Sequence, residues 1–359
     1  MNKRRSKSRF FFKKLIIKFL LLINLACAVA LLLAYLSVWV SPAKVWPLAF
    51  FGLTYPYLLL ANLLFILLWL LLRKWLFFLS LLAVLTGVRH FRNYFRIFPQ
   101  KSEESGITVC SYNVKHFNEN KVVEASRDAI CKYLQSKDAD IICLQEMPPI
   151  SNFNPFLPDS AHKPAPCYSS VAVGTGGSKP AIYSRYKLVN IREISFTGSD
   201  NRIVYADTFI DGDTIRIFSC HLQSYHIDDN SLDDLSREND RKKSVRKLRT
   251  IVSKLKQGYV HRTEHAERLA EEIRRSPYEV IVCGDFNDTP VSYTYRTIRR
   301  HLLDAFVESG SGTGNSYRGK LPSFRIDYIM HSGGFHSYNF KVDRVTLSDH
   351  FPVSCKLVK

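Results

Sequence analysis

The sequence predicts an α/β protein in which two packed β-sheets carry helices on their outer faces, preceded by a helical membrane region. Long uncharged apolar runs fill the first hundred residues, and beyond them apolar runs of strand length alternate with polar loops and a few amphipathic stretches. Charge marks the boundary. Of the 50 Lys and Arg, 14 lie in residues 1–100 with no Asp or Glu, which leaves 36 basic against 32 acidic residues in 101–359. The basicity therefore belongs mainly to the N-terminal third, and the high pI does not point to a nucleic-acid-binding domain.

Residues 1–14 (MNKRRSKSRFFFKK) are a basic leader that the positive-inside rule keeps in the cytoplasm. Residues 15–98 read as a transmembrane region of two or three helices. Phe19 to Val40 runs 22 residues without a charge, enough to cross a hydrocarbon core about 30 Å thick. That run outlasts the apolar part of a signal peptide, and a second apolar run, Val45 to Leu72, follows it. Pro47 and Pro56 within the second run are tolerated in lipid. Trp75 to Val88 has 14 uncharged residues, the length of an interfacial or re-entrant segment, but its hydrophobicity and its closeness to the second run favour a third span. Two spans would leave the following domain in the cytoplasm. Three place it on the extracytoplasmic side of the plasma (inner) membrane, the side expected here.

Residues 99–106 form a polar linker, and 107–359 a single globular domain. Strands are expected in ITVCSYNV, ADIICLQE, CYSSVAVG, AIYSRY, RIVYADTFI, DTIRIFSCHL, YEVIVCGDF, SFRIDYIM and FPVSCKLV, and helices at about 121–137, 236–256, 259–275 and 292–301. Residues 232–276 are a charged helical insertion with 13 basic and 8 acidic residues. Val245, Leu248, Ile251, Val252 and Leu255 give it an apolar stripe to pack on the domain, and the interspersed acids make its other face a solvated one. None of the eight cysteines forms a CxxC pair, and seven lie beyond the membrane region, an odd number. Zinc, thioredoxin-like and disulfide-framework classes are excluded, and the cysteines within strands read as small buried hydrophobes.

Chemistry collects where apolar runs end. Asn113 closes ITVCSYN, Glu146 closes IICLQE, and Asp285 with Asn287 closes VIVCGDFN; Asp349 and His350 precede Phe-Pro-Val, with His221 in FSCHLQ and Asp327 in RIDYI. Six such exits imply strands converging on one polar cleft. Phosphoester hydrolysis needs that inventory: a carboxylate such as Glu146 for a hard cation that keeps its waters, a carboxylate such as Asp285 to orient the attacking water, and amides and imidazoles (Asn113, Asn287, His221, His350) to stabilise anionic oxygen.

The ordered set SYNV, LQE, HLQ, GDFND, RIDYI and SDHFPV, from Ser111 to Val353, resembles the metal-dependent endonuclease/exonuclease/phosphatase superfamily, the DNase I-like fold. Each short motif alone is common, but all six in this order are specific. The resemblance implies a four-layer α/β/β/α sandwich with the site at one rim between the sheets. It implies Glu146 as the principal metal ligand with Asn113 beside it and Asp349 as a further metal-side or phosphate-side group, Mg²⁺ as the cofactor and Mn²⁺ as its substitute. Asp285 resembles the residue that activates water, Asn287 the phosphate-binding amide, His350 the strand-end histidine oriented by Asp327, and His221 the group that binds phosphate or assists the leaving group. Arg185, at the end of AIYSRY, either reaches a substrate phosphate or pairs on the surface.

Other polar residues receive structural readings: Asp288 as a turn residue, His226 and His301 as structural, His331 and His336 as loop surface. The function expected is a membrane-anchored Mg²⁺-dependent phosphoesterase acting on a phosphodiester, either nucleic acid or a phospholipid head group, with no obligate protein partner. The alternative is a catalytically silent membrane-anchored scaffold that keeps only the fold. An inositol polyphosphate phosphatase is disfavoured, because RIDYI stands where those enzymes carry a Trp-Cys-Asp-Arg element.

Overall fold

The computed structural model describes residues 2–102, 105–117, 123–148, 153–156, 167–171, 179–225, 241–319 and 324–359. It divides into two compact units, residues 1–91 with 291–293, and residues 92–290 with 294–359. His226 and positions 232–240 of the insertion lie outside the described residues.

The first unit is helical. α1 (Asn2–Ser37) contains the apolar stretch Phe11–Ser37, 27 residues long. After α2 (Pro42–Val45), α3 (Pro47–Leu53) and α4 (Tyr55–Leu71) meet at a bend of 64°. Pro47 and Pro56 sit in the first turns of α3 and α4, where a missing N–H breaks no helical bond. The third apolar run forms α5 (Phe77–Leu85), whose 9 residues rise about 13 Å, less than half of a hydrocarbon core. It does not make the single crossing helix expected of a third span. Polar side chains hold these helices together: Asn24 Nδ2 donates to Ser80 Oγ (2.5 Å), Ser80 Oγ to Asn62 Oδ1 (2.8 Å), and Trp69 Nε1 to Asn24 Oδ1 (2.8 Å). In lipid, where apolar surface gives no drive to associate, such bonds join helices. α6 (Val88–Tyr94) leads out of the unit.

The second unit holds two six-stranded sheets. β1 (Ile107–Asn113), β2 (Ile141–Met147), β3 (Tyr168–Val171), β4 (Lys179–Ser184), β5 (Leu188–Phe196), β6 (Ser199–Ile210), β7 (Asp213–His221), β8 (Glu279–Asp285), β9 (Leu303–Asp304), β10 (Asp327–His331), β11 (His336–Val342) and β12 (Val353–Val358) follow in chain order. Their spatial orders are β11-β12-β1-β2-β4-β3 and β5-β6-β7-β8-β10-β9. Ile182, Val204, Ile217, Ile281, Ile329 and Val353 fill the space between the sheets. α7 (Val123–Gln135) covers the first sheet through Ile130 and Leu134. α8 (Arg241–Arg275) covers the second through Ala266, Leu269 and Ile273. α9 (Tyr293–Arg299) and α10 (Ala305–Ser309) complete the described helices. Helix, sheet, sheet and helix make the four layers expected.

Two expectations need correction. The helices expected at 236–256 and 259–275 are one helix that runs through Gly258. Val245 and Leu248 are exposed rather than packed on the domain, because α8 becomes buried only from Gly258 onward. All eight cysteines are free thiols, and five are buried in the sheets.

Candidate active site

The register of the second sheet lines up three of the expected residues. His221 at the end of β7 lies opposite Asp285 at the end of parallel β8, and Asp285 lies opposite Asp327 at the start of antiparallel β10. Residues directly opposite in a sheet project to the same face, so three neighbouring strands deliver an imidazole and two carboxyls side by side. Backbone shape sharpens this corner. Gly284, at φ 153°, lies against Cys220 so closely that any Cβ would overlap the Cys220 carbonyl oxygen. Asn287, at φ 52°, turns back so that its N–H donates to Asp285 Oδ1 (2.8 Å). Its side-chain amide reaches Leu222 O (3.0 Å) and lies 3.2 Å from His221 Nε2.

The first sheet supplies the facing wall. Asn113 ends β1 opposite Gln145, and Glu146 follows at φ 54°, where the β2–β4 register slips. A bulge of this kind re-aims a side chain at a strand end, and the left-handed backbone it requires is rare outside glycine. Asn113 Nδ2 joins the sheets by donating to Glu146 Oε1 (3.1 Å) and Asp285 Oδ2 (3.0 Å). His350, just before β12, lies 2.8 Å through Nδ1 from Asp327 Oδ2 and 3.7 Å through Nε2 from Asp285 Oδ2.

Burial and charge set the protonation of this cluster. Burial pushes the Asp285 carboxyl up to about 6, with Asp327 adding to the rise and His350 and His221 opposing it. Burial works against the His350 imidazolium too, yet the Asp327 and Asp285 carboxylates outweigh it and hold that group up to about 10. Asp349 lies below the usual carboxylate range: burial would raise it, but His350 and the Lys115 ammonium, 2.9 Å from Oδ2, prevail.

Carboxyl groups in two places could serve a cation. The donor atoms of Asp285, Asp327 and His350 lie within 4.8 Å of one another. That trio is nearly sealed, at 1%, 1% and 5% exposure, and His350 Nδ1 already engages Asp327, so little room remains for the waters that Mg²⁺ keeps. Glu146 and Asp349 are partly open, with His116 Nε2 3.4 Å from the first and Lys115 Nζ 2.9 Å from the second. Each offers carboxylate oxygens of the kind a hard divalent ion takes. Asn113 fits it less well as a ligand: it turns its NH₂ toward Glu146, while its oxygen accepts from Lys115 N–H (3.1 Å). The geometry favours Asn113 as a hydrogen-bond donor.

Arg185 is not part of this constellation. It follows β4 beside Ile141, at the opposite end of β2 from Glu146, about 16 Å away at strand rise. There Arg185 Nη2 pairs with Asp138 Oδ1 at 2.5 Å, which corrects the phosphate-binding expectation. His331 is also not loop surface; it is buried in β10, 2.7 Å from Glu308 Oε2. His336 and His301 are exposed. Sequence reasoning missed Asn201, whose Nδ2 donates to the carbonyls of His221 (3.1 Å) and Leu222 (3.2 Å) from strand β6. It also missed Lys115 and His116, which follow the SYNV motif on a turn with φ of 45° and 54°.

Fold and site define a metal-dependent phosphoester hydrolase. Residues 110–350 match the model of the endonuclease/exonuclease/phosphatase family, and the chain belongs to that family. Residues 17–94 match a second family model described only as a domain of unknown function. A search of curated proteins gave no match. Among solved structures, the chain is similar to D. rerio TDP2 complexed with single-strand DNA product, at 17% identity over 71% of this chain and 100% of that one, with a TM-score of 0.51. It is also similar to an endonuclease/exonuclease/phosphatase family protein from Leptotrichia buccalis (17% identity, 70% and 100% covered, TM-score 0.48). A mannosyl-6-phosphatase from Bacteroides thetaiotaomicron matches at 19% identity, 70% and 100% covered, TM-score 0.47.

Proposed function

We propose that the protein is a membrane-anchored phosphodiesterase that hydrolyses its substrate by direct attack of water, with no covalent enzyme intermediate. The observation that carries this reading is the Asn113 amide, which ties the metal-side carboxylate Glu146 to the water-side carboxylate Asp285 across the two sheets. A divalent cation held by Glu146 and Asp349, Mg²⁺ in this reading, would polarise a phosphoryl oxygen and stabilise the leaving oxygen. Asp285 accepts the proton of the attacking water at Oδ2. His350, kept as an imidazolium by Asp327, offers its Nε2 proton to the charge that builds on the phosphoryl group. His221 Nε2 and the Asn287 amide line the phosphate side.

The expected third span loses its support in the 9 residues of α5. Two crossings, α1 and the bent α3–α4 pair, leave Lys44 alone in the outer connection and put the leader, Arg73, Lys74, Arg89, Arg92 and Arg96 on one side. That distribution obeys the positive-inside rule, so the domain is proposed to face the cytoplasm rather than the exterior. Protease added to intact cells should then spare it and cleave after lysis; digestion before lysis would restore the third span.

With the domain's charge nearly balanced and its chain tethered, the substrate proposed is a phospholipid head-group phosphodiester rather than a nucleic-acid backbone. Detergent-solubilised full-length protein should hydrolyse a bis-aryl phosphodiester, lose that activity with chelator and regain it with Mg²⁺ or Mn²⁺. Activity indifferent to chelator would sink the reading. A panel of sphingomyelin, phosphatidylinositol phosphates, plasmid DNA and RNA then decides the substrate, and preference for DNA or RNA would overturn the lipid assignment.

A further inference from the structure

We infer that Arg262, a fully buried residue of the inserted helix α8, is a positioning residue for His221 and Asn287, so that the insertion sets the geometry of the phosphate side of the site. A guanidinium with no exposure is heavily penalised by desolvation and depends on the partners it finds; Nη2 of Arg262 has no hydrogen-bond partner, while its other nitrogens are engaged. Here Nε donates to Gln223 O (2.8 Å), Nη1 donates to Tyr225 Oη (3.0 Å) and pairs with Asp288 Oδ2 (3.2 Å), and the plane lies 4.3 Å over the Tyr225 ring.

The partners share one property. Gln223 and Tyr225 follow His221 by two and four residues, and Asp288 follows Asn287 by one, so Arg262 grips the two segments that leave the site. Those segments bond to each other through Asn287 Nδ2 and Leu222 O at 3.0 Å. The clamp fixes them from behind, without reaching the reacting groups. Gly258, one turn earlier on α8, shows how closely the helix is fitted. A Cβ there would lie 2.8 Å from Tyr225 Cδ1 and 3.2 Å from Ser224 O. Nothing in the pairing of α8 with the core requires this contact, because Ala266, Leu269 and Ile273 already seat the helix on its sheet.

This inference rests on the reading of His221 and Asn287 as substrate-facing. Its test uses the full-length protein, with Arg262→Lys and Tyr225→Phe each made alone and combined with His221→Ala. On the bis-aryl phosphodiester, Arg262→Lys is expected to lower kcat about 10- to 100-fold with KM changed far less, since small misplacements of positioned groups cost rate in that range. In the His221→Ala background the same change should cost several-fold less than in the wild type, because one of the two positioned groups is gone. Tyr225→Phe removes the hydroxyl's bonds to Arg262 and Tyr259, leaves the helix anchored, and should show a smaller loss with the same non-additivity, which keeps the test decisive if Arg262→Lys does not fold. Wild-type kcat in folded Arg262→Lys or Tyr225→Phe, or losses that multiply undiminished with His221→Ala, would overturn it. Full activity in both His221→Ala and Asn287→Ala would instead refute the site reading, and the inference with it.

Discussion

Asp285 and Asp304 are both buried carboxyls in one sheet, on strands that flank β10 on either side, yet their surroundings differ in one respect. Asp304 is closed by a cation. Arg325 donates to both of its oxygens (3.2 and 2.9 Å), Tyr295 Oη adds a bond of 2.7 Å and Phe306 N–H one of 3.0 Å. Burial would raise its pKa, but Arg325 and Arg299 outweigh that and hold it below the ordinary value. Asp285 receives amides, from Asn113 and Asn287, and the His221 and His350 imidazoles stand off at 3.7 Å. Its neighbour Asp327 leaves Oδ1 buried without a partner. A carboxyl that only maintains a fold tends to be fully answered, as Asp304 is; a buried carboxyl cluster left partly unanswered is the pattern a functional site favours.

The largest expected effect separates the two by activity. Asp285→Asn keeps the shape, gives up one of the two oxygens that accept from Asn113 and Asn287, and removes the proton acceptor, so turnover of a phosphodiester should fall by about 10²–10⁴-fold. The variant should fold normally, and circular dichroism with a thermal melt checks that. Next comes Arg325→Met, which strands Asp304 without its cation and should lower stability by about 3–5 kcal/mol in denaturant titrations. Activity of the fraction that stays folded should change little, because Arg325 contacts none of the site carboxyls in the described residues.

The pH dependence of stability should run in opposite directions at the two carboxyls. Asp304 has a folded-state pKa below its unfolded value of about 4, so its contribution is present above pH 4 and is lost as the pH falls through the folded value. Asp285 has a folded-state pKa of about 6, above the unfolded value, so the folded state binds the proton more tightly. Its contribution is present below pH 4 and is lost as the pH rises to 6. In metal-free protein Asp285→Asn should flatten the slope of stability between pH 4 and 6 and gain on the order of 1–2 kcal/mol at pH 7. A variant equally sensitive across that window would show that the carboxyl is not the source.

The same contrast explains what the sequence reveals. The open cluster is legible because Asp285 and Glu146 end apolar runs, VIVCGD and IICLQE, where a polar residue has no packing reason to stand, while Asp327 and His350 stand just at or before the start of others. The Arg325–Asp304 and Arg262–Asp288 pairs are illegible because each joins residues more than 20 positions apart with no local pattern between them. β5 and β11 escape for another reason. They are edge strands with one wetted face, and LVNIREISF and HSYNFKV lack the continuous apolar character of central strands. Gly258 reads as a helix break, but tertiary packing against Tyr225 carries α8 through it.

The smallest effect is expected at Arg185, where the structure takes the surface-pair alternative over the phosphate one. Arg185 has the residue type and the strand-end position of a phosphate ligand, and a family motif alone would not exclude it. Strand direction does. β4 runs antiparallel to β2, so the C-terminal end of β4 meets the start of β2, while Glu146 sits near the other end. Arg185→Ala should therefore leave kcat and KM for a phosphodiester within about 2-fold. It breaks an ion pair whose acid, Asp138, is 74% exposed, and pairs of that kind contribute well under about 1 kcal/mol. The packing of the guanidinium over the Phe156 ring, at 5.6 Å, adds a contact that Arg185→Lys would weaken without removing charge. If Arg185→Ala weakened apparent substrate affinity by about 10-fold or more and Asp138→Ala did not, substrate would have to extend along the full length of β2, and the active cleft would be redrawn from one rim to both.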